Sequence, residues 1–321
     1  MARILVVGLG SIGRRHATNI EAMGHIVYKV DPEGSCGEGN LWYSLEDILL
    51  TSIRLDAAVV ASPSHLHYEH ATTLLNAGIP VLIEKPVATT EKEVDQLWAR
   101  AQLLGVTAMA GQSYRYHRGI KLLKQRISDE WIDNLGYIGR PLMVNYYSGQ
   151  HLSQWCPGRD FKDTYVAQPQ QGGGVLLTSA THLLDTLRFI FGGLRDVTGL
   201  ATNSKSLGIL VEDALVINGR TEQGALFTAS SDFLQRRNEH YVKVVGTDGE
   251  ATLNLNGLGG CTWDWTDGTQ SEHLFLGDCS DRYFLEMQDF LDAALNKRPS
   301  PVSLLEAKIV LSIIERDIAI V

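Results

Sequence analysis

In GGGVLLTSATHLLD, Thr178, His182 and Asp185 follow one another at spacings of four and three, so a helix would gather them on one face. The imidazole could carry a proton, the hydroxyl could hold a substrate oxygen, and the carboxylate could orient the ring. The same residues equally suit packing, with His182 a satisfied core histidine and Asp185 its structural partner. A second reactive group stands in IPVLIEKP, where Lys85 follows Glu84 at the end of an apolar run. Partly desolvated at a strand end, this lysine would have a lowered pKa and could take the proton of a hydroxyl being oxidised. As a surface lysine before a turn proline it would do neither.

RILVVGLGSIGRRHA places Gly8, Gly10 and Gly13 in the GxGxxG pattern between a strand and a helix, with Ser11 and Ile12 on the same turn. Gly8 allows the turn, Gly10 lets backbone N–H groups approach a pyrophosphate, and Gly13 lets helix and strand pack closely. Without a ligand the same pattern is a tight strand-to-helix turn. Asp31 ends the next strand, where a carboxylate accepts from both ribose hydroxyls and repels a 2′-phosphate. Pro32, Glu33 and Gly34 follow it without a cation, so NAD is expected rather than NADP, unless Asp31 only caps a turn. Ser62, Pro63 and His67 follow the strand DAAVVAS at the same edge and are placed with Glu84 and Lys85 beside the cofactor. The three imidazoles of HLHYEH straddle a loop and a helix start with no thiolate or carboxylate cluster, so no metal is expected.

These groups must be positioned by a chain of 321 residues, which suggests two domains. Its 44% hydrophobic and 20% charged residues are those of a soluble globular protein. The net charge is −9 with scattered basic residues, which argues against nucleic acid. Cys36, Cys156, Cys261 and Cys279 lie far apart in sequence, and reduced cytoplasmic thiols are expected. MARILVVGLG is too short for a membrane span and unlike a signal sequence. Apolar strands alternate with amphipathic helices ending at Gly24, Gly78 and Gly105, which predicts a parallel sheet covered on both faces to about residue 118. Strand-like runs without helices follow, with Asp248-Gly249 and Asp267-Gly268 as hairpin turns needing positive φ. Two helices close the chain, the last starting at Ser303 and running through LLEAKIVLSIIERDIAI. Residues 150–171 read as one long functional loop.

VVGLGSIGRRHA, ASPSHLHYEHA, IEKPVATT, GQSYRYHRGIKLLK, QGGGVLLTSATHLLDTLRFIFG and VVGTDGEATLNL, in this order over nearly the whole chain, resemble the glucose-fructose oxidoreductase, inositol dehydrogenase and rhizopine-type (Gfo/Idh/MocA) family. The resemblance implies that Lys85, the lysine of EKP, contacts cofactor and substrate and takes part in proton transfer. The family's helix usually reads GGGxxxDxGxHxxD, its aspartate and histidine making the substrate's polar contacts and the acid/base pair. Gly172, Gly173, Gly174, His182 and Asp185 match; Thr178 stands at the aspartate and Ala180 at the glycine. Threonine cannot ionise near neutral pH. Three outcomes stay open: Lys85 and His182 suffice with Thr178 holding the hydroxyl, the site serves another reaction, or activity is gone. YSGQHLSQWCPGRDFKDTYVAQPQQGGG resembles a subgroup associated with surface-polysaccharide and sialic-acid-like sugar pathways. There Trp155, Arg159, Asp160, Lys162 and Tyr165 would line a substrate cleft, joined by Arg115, Tyr116 and Asp185. A loop packed over the sheet by an anchoring Trp is the alternative.

The expected architecture is therefore α/β: a doubly wound Rossmann domain, residues 1–118, and an α+β domain with a mixed or antiparallel open sheet, residues 119–321, the cleft lying between them. The expected activity is NAD(P)-dependent hydride transfer at a sugar, cyclitol or nucleotide-sugar carbinol, in the cytoplasm, by a homodimer or homotetramer formed through the C-terminal sheet. Two rivals are a non-catalytic NAD sensor and a lyase or glycosidase that recycles NAD within one turnover.

Overall fold

Runs of Val, Ile, Leu and Ala dictate the first sheet. In the computed structural model, which describes residues 1–32, 40–128, 136–155, 158–257 and 260–321, these runs become strands joined by helices. The elements are β1 (Arg3–Val7), α1 (Ser11–Ala22), β2 (Ile26–Val30), β3 (Leu41–Trp42), α2 (Leu45–Leu49), β4 (Ala57–Val60), α3 (His67–Asn76), β5 (Val81–Ile83), α4 (Glu91–Leu104) and β6 (Ala108–Ala110). All six strands are parallel in the order β3-β2-β1-β4-β5-β6, so strand order reverses beside β1, where such sheets bind ligands. Residues 4–7 and 57–60 are buried along their whole length, as a sheet covered on both faces requires. Thr90 and Glu93 form a reciprocal capping box at the start of α4, and Gly105 ends that helix in the left-handed conformation. Glu33, Gly34, Cys36 and Cys156 lie outside the described residues.

The second sheet is mixed. After α5 (Arg118–Arg126) come β7 (Pro141–Gly149), α6 (Thr181–Phe191), β8 (Leu194–Thr202), β9 (Ala214–Thr221), β10 (Leu226–Asp232), β11 (Glu239–Gly246), β12 (Glu250–Gly257), β13 (Gly260–Thr266) and β14 (Ser271–Gly277). The chain closes with α7 (Arg282–Leu295), α8 (Leu304–Asp317) and β15 (Ile318–Ile320). The nine strands run β14-β13-β12-β11-β7-β10-β9-β8-β15, with β7/β10 and β8/β15 parallel and the other pairs antiparallel. One face carries Val144, Tyr146, Ile217, Phe227, Ala229, Val244, Leu253 and Trp263, all buried, and α5 and α6 pack on this sheet. Two compact units result: Met1–Ser113 with Tyr283–Leu311, and Tyr114–Arg282 with Ser312–Val321.

Two local expectations change. The closing run is not helical to its end: α8 stops at Asp317, and Ile318, Ala319 and Ile320 pair with Gly199, Leu200 and Ala201. An apolar β-branched run suits either state, and an open sheet edge decides. The Asp248-Gly249 hairpin forms, but neither residue has positive φ. The Gly246 N–H closes the loop on the Gly249 carbonyl at 2.8 Å, and the Thr247 and Asp248 N–H groups donate to Arg140 and Ile138 carbonyls. Gly249 is required for space instead, since a Cβ there would lie 2.5 Å from Trp265 Nε1. At the next turn Gly268 does take a φ of 90°, while the Asp267 side chain accepts from the Thr269 and Gln270 N–H groups.

Candidate active site

The glycine loop has the geometry a pyrophosphate needs. Gly8 has a φ of 90°, and a Cβ there would lie 2.6 Å from the backbone of Ala61 and Ser62. At Gly13 a Cβ would come within 1.9 Å of the Gly8 carbonyl oxygen, so α1 lies too close to β1 for any side chain. Around Gly10, by contrast, a Cβ would meet nothing within 4 Å. Gly10 caps α1 without a side chain, which leaves the first-turn N–H groups of Ser11, Ile12 and Gly13 to serve an anion. At the end of β2 the Asp31 carboxylate accepts from the Leu9 N–H at 2.6 Å, tying the strand end to the loop. Open space at Gly10, free helix donors and a carboxylate one strand away fit NAD.

Glu84 and Lys85 follow β5. Glu84 is buried, one oxygen 2.7 Å from His16 Nε2 on α1 and the other accepting the Lys85 N–H at 3.1 Å. Burial would raise its pKa, but the His16 hydrogen bond and the nearby His16 and Lys85 charges hold it below the usual carboxylate value. Lys85 is half-buried; desolvation lowers its ammonium pKa, and Glu84 only partly opposes that. The Lys85-Pro86 peptide is cis. The three imidazoles of HLHYEH separate: His65 is exposed, His67 is buried between two carbonyls, and His70 Nδ1 meets Ser62 Oγ at 2.9 Å. Pro63 precedes a short 3₁₀ turn, Ser64–Leu66, that leads into α3.

In the second unit the stretch that opened the sequence reading is not one α-helix. Leu176–Ala180 form a π-helical turn, and α6 starts at Thr181. Threonine hydroxyls bond back along the helix at this point: Thr178 Oγ1, within the turn, donates to the Gly174 carbonyl at 2.6 Å, and Thr181 Oγ1, just after it, to that of Leu177 at 2.9 Å. Thr178 is buried, and its hydroxyl proton is committed within its own helix. Asp185 is buried and takes a bidentate bond from Arg115, Nη2 to Oδ1 at 2.6 Å and Nε to Oδ2 at 2.9 Å. Half-buried His182 meets the Tyr114 ring edge-on, centroids 5.0 Å apart. Tyr114 OH lies 3.3 Å from His240 Nδ1, and His240 Nε2 lies 3.1 Å from Tyr146 OH. Burial, assisted by neighbouring His117 and the Arg282 charge, takes His240 down to about 3. The long loop offers Arg159, Lys162 and Tyr165 to solvent; exposed Asp160 caps a short turn by accepting the Lys162 N–H, and Trp155 packs edge-on against Phe233 at 5.2 Å. Tyr116 is buried beneath the Lys121 ammonium.

His16, Tyr114 and His240 matter more than their sequence context announces. His16 lies inside RRHA, but its partner is 68 residues away. Cys261 and Cys279, distant in sequence, are buried free thiols grouped with His117 within 4.8 Å. His117 Nδ1 already accepts the Gly119 N–H at 3.1 Å, so the neutral ring carries its proton on Nε2 and offers no further lone pair.

Comparison with known proteins finds two family models along the chain. A family model described as "Oxidoreductase family, NAD-binding Rossmann fold" matches residues 2–112, and one described as "Oxidoreductase family, C-terminal alpha/beta domain" matches residues 132–317. The 2,7-anhydro-N-acetylneuraminate hydratase of Mediterraneibacter gnavus is 27% identical over 68% of this chain and 54% of its own. Inositol 2-dehydrogenase 1 of Saccharopolyspora erythraea is 25% identical over 91% of this chain and 78% of its own. The match spans about half the length of the hydratase and of the 1,5-anhydro-D-fructose reductase of Ensifer adhaerens. Among solved structures, levoglucosan dehydrogenase in complex with NADH and levoglucosan superposes with a TM-score of 0.84 at 19% identity, covering 98% of this chain and 96% of the other. The UDP-N-acetylglucosamine 3-dehydrogenase of Acidithiobacillus ferrooxidans gives 0.76 at 20% identity, covering 98% and 96%. At these identities the two structures establish the fold alone.

Proposed function

Because the chain belongs to the Gfo/Idh/MocA oxidoreductase family, with its NAD-binding Rossmann domain and C-terminal alpha/beta domain, we propose that it oxidises or reduces a ring carbinol of a sugar, cyclitol or nucleotide sugar. NAD, when bound, supplies the hydride chemistry. What this chain supplies is a cradle, a proton route and a grip. Gly8, Gly10, Ser11, Ile12 and Gly13 hold the pyrophosphate, Asp31 the ribose, and the Ser62-Pro63 turn lies along the same strand ends. Lys85 takes the hydroxyl proton during oxidation and returns it during reduction, its lowered pKa bringing it closer to working pH. His182 is the second proton carrier.

Thr178 and Asp185 receive different parts in this reading. Thr178 shapes the π turn that presents His182, and Asp185 with Arg115 holds α6 in place. Arg159, Lys162, Tyr165, Asp160 and Trp155 grip the substrate from the loop, suiting hydroxyls, a carboxylate or a phosphate on a ring with an apolar face. The exposed apolar side chains of the second sheet support a homodimer or homotetramer, and a cytoplasmic setting agrees with free thiols at Cys261 and Cys279. No described helix is long and apolar enough to cross a membrane.

The carrying observation is the half-buried Lys85 beside a carboxylate fixed by His16. Its test is the rise of reduced-nicotinamide absorbance with NAD or NADP and a panel of sugars, inositols, sugar acids and nucleotide sugars. A signal that disappears in Lys85→Met, while NAD binding persists, is the expected result. A Lys85→Met enzyme with wild-type turnover refutes it. The relative named a hydratase favours a second reading, in which NAD is reduced and reoxidised within one turnover; product would then form without net NADH.

A further inference from the structure

We propose that His67 is a protonated tie: an imidazolium that clamps the turn after β4 to the turn after β5 and so fixes the peptide that carries Lys85. The His67 ring is buried. Its Nδ1 lies 2.7 Å from the Pro86 carbonyl oxygen and its Nε2 2.7 Å from the Ser62 carbonyl oxygen. Backbone carbonyls accept hydrogen bonds and never donate them. A neutral imidazole has one N–H whichever tautomer it adopts, so it can satisfy only one of these oxygens. The other would face a nitrogen lone pair at hydrogen-bond distance, buried and without a donor. Only the doubly protonated ring supplies a donor to each.

The surroundings can carry that charge. Glu84 and Lys85 face the region from the end of β5, and His65 and His70 flank it on the turn and helix that bear the ring. Glu84 is held ionised, while burial lowers His70 and keeps it neutral beside the cation. Burial pushes the His67 pKa below the usual imidazole value, and the Pro86 and Ser62 carbonyls and Glu84 oppose it only in part, so the charged form rests on the geometry. Two short contacts to acceptors, one on each nitrogen, are the geometry of the charged form. Ser62 and Pro86 follow neighbouring parallel strands, so a single side chain joins the two strand ends that flank the cofactor, and Pro86 is bonded directly to Lys85. His67 is thus a positioning residue. Its positioning role rests on the reading that the first unit binds NAD, and it holds whatever the substrate is.

Long-range ¹H–¹⁵N NMR of the ¹⁵N-labelled full chain tests the charge, with the His67 ring assigned through its own β protons. Two protonated-type ring nitrogens at neutral pH, with and without NAD, are expected; one pyridine-type nitrogen on His67 overturns the imidazolium. The tie is tested with His67→Gln, which keeps a donor but no charge. NAD affinity measured by calorimetry should fall at least about tenfold, the scale of one charged hydrogen bond, with an unchanged circular dichroism spectrum. Wild-type affinity in that folded variant overturns the positioning role. If His67→Gln does not fold, the same affinity measurement on His67→Asn and the ring NMR of the native chain decide.

Discussion

At the scale of residues, the fold prepares its titratable groups in opposite ways. Lys85 is moved toward neutrality at the end of β5, whereas His117 and His240 charge only well below the usual imidazole range. Burial takes His117 from 6.5 down to about 4, with the Arg282 charge adding to it, and His240 is lower still at about 3. Below pH 6.5 the unfolded chain binds protons at these sites that the folded chain does not, so stability must fall as pH drops, through about 4 for His117 and about 3 for His240. At about 1.4 kcal/mol per pH unit, the His117 site alone costs roughly 3 kcal/mol by pH 4. Denaturant melts from pH 7 to pH 4 should show the decline, and His117→Asn should flatten it. Thr178 makes a second case. With its hydroxyl given to the Gly174 carbonyl, Thr178→Asp would set a buried carboxylate against an acceptor. We expect a loss of about 2 kcal/mol or more and no gain in turnover, measured by thermal melting and the nicotinamide assay; a rise in rate would restore the view of Thr178 as a vacated catalytic position.

At the scale of elements, the π turn and the Arg115–Asp185 pair set where His182 sits. The pair joins the residues just before α5 to the middle of α6, and its carboxylate is almost wholly buried. Removing one partner of a buried pair leaves the other uncompensated, so Arg115→Met should destabilise the protein by about 3 kcal/mol, seen as a lower Tm, and should lower kcat more than it raises the substrate KM. Much of this scale was legible beforehand. The Rossmann alternation, Gly13 against β1 and the helix-ending Gly105 follow from local patterns that need no partner. The His16–Glu84 contact, the His67 tie and the Asp185 salt bridge were not, since each joins segments whose proximity only the finished fold creates. Spacing of four and three put Thr178, His182 and Asp185 on one helical face, but spacing assumes 3.6 residues per turn, and Leu176–Ala180 form a π turn instead.

For the whole molecule, the open face of the second sheet is the feature with the largest reach. Met143 pairs with Leu226, and Val216 with Leu200, across neighbouring strands, and these side chains remain 45–56% exposed. Phe275 on β14 is 63% exposed. An apolar face of this kind marks an association surface, so light scattering should give a mass of two or four chains, and Leu226→Asp with Met143→Asp should yield a smaller species. A monomeric wild type would sink that expectation. A different consequence belongs to the order of synthesis. The first unit is built from Met1–Ser113 and Tyr283–Leu311, so its opening segment leaves the ribosome before nearly all of α7 and the first part of α8, which belong to the same unit. At ~5–20 residues per second, the intervening stretch occupies the ribosome for roughly 10–30 seconds. During that wait a nascent Rossmann sheet stands with part of its own cover unmade, which makes this interval the point at which a chaperone would matter most to its yield.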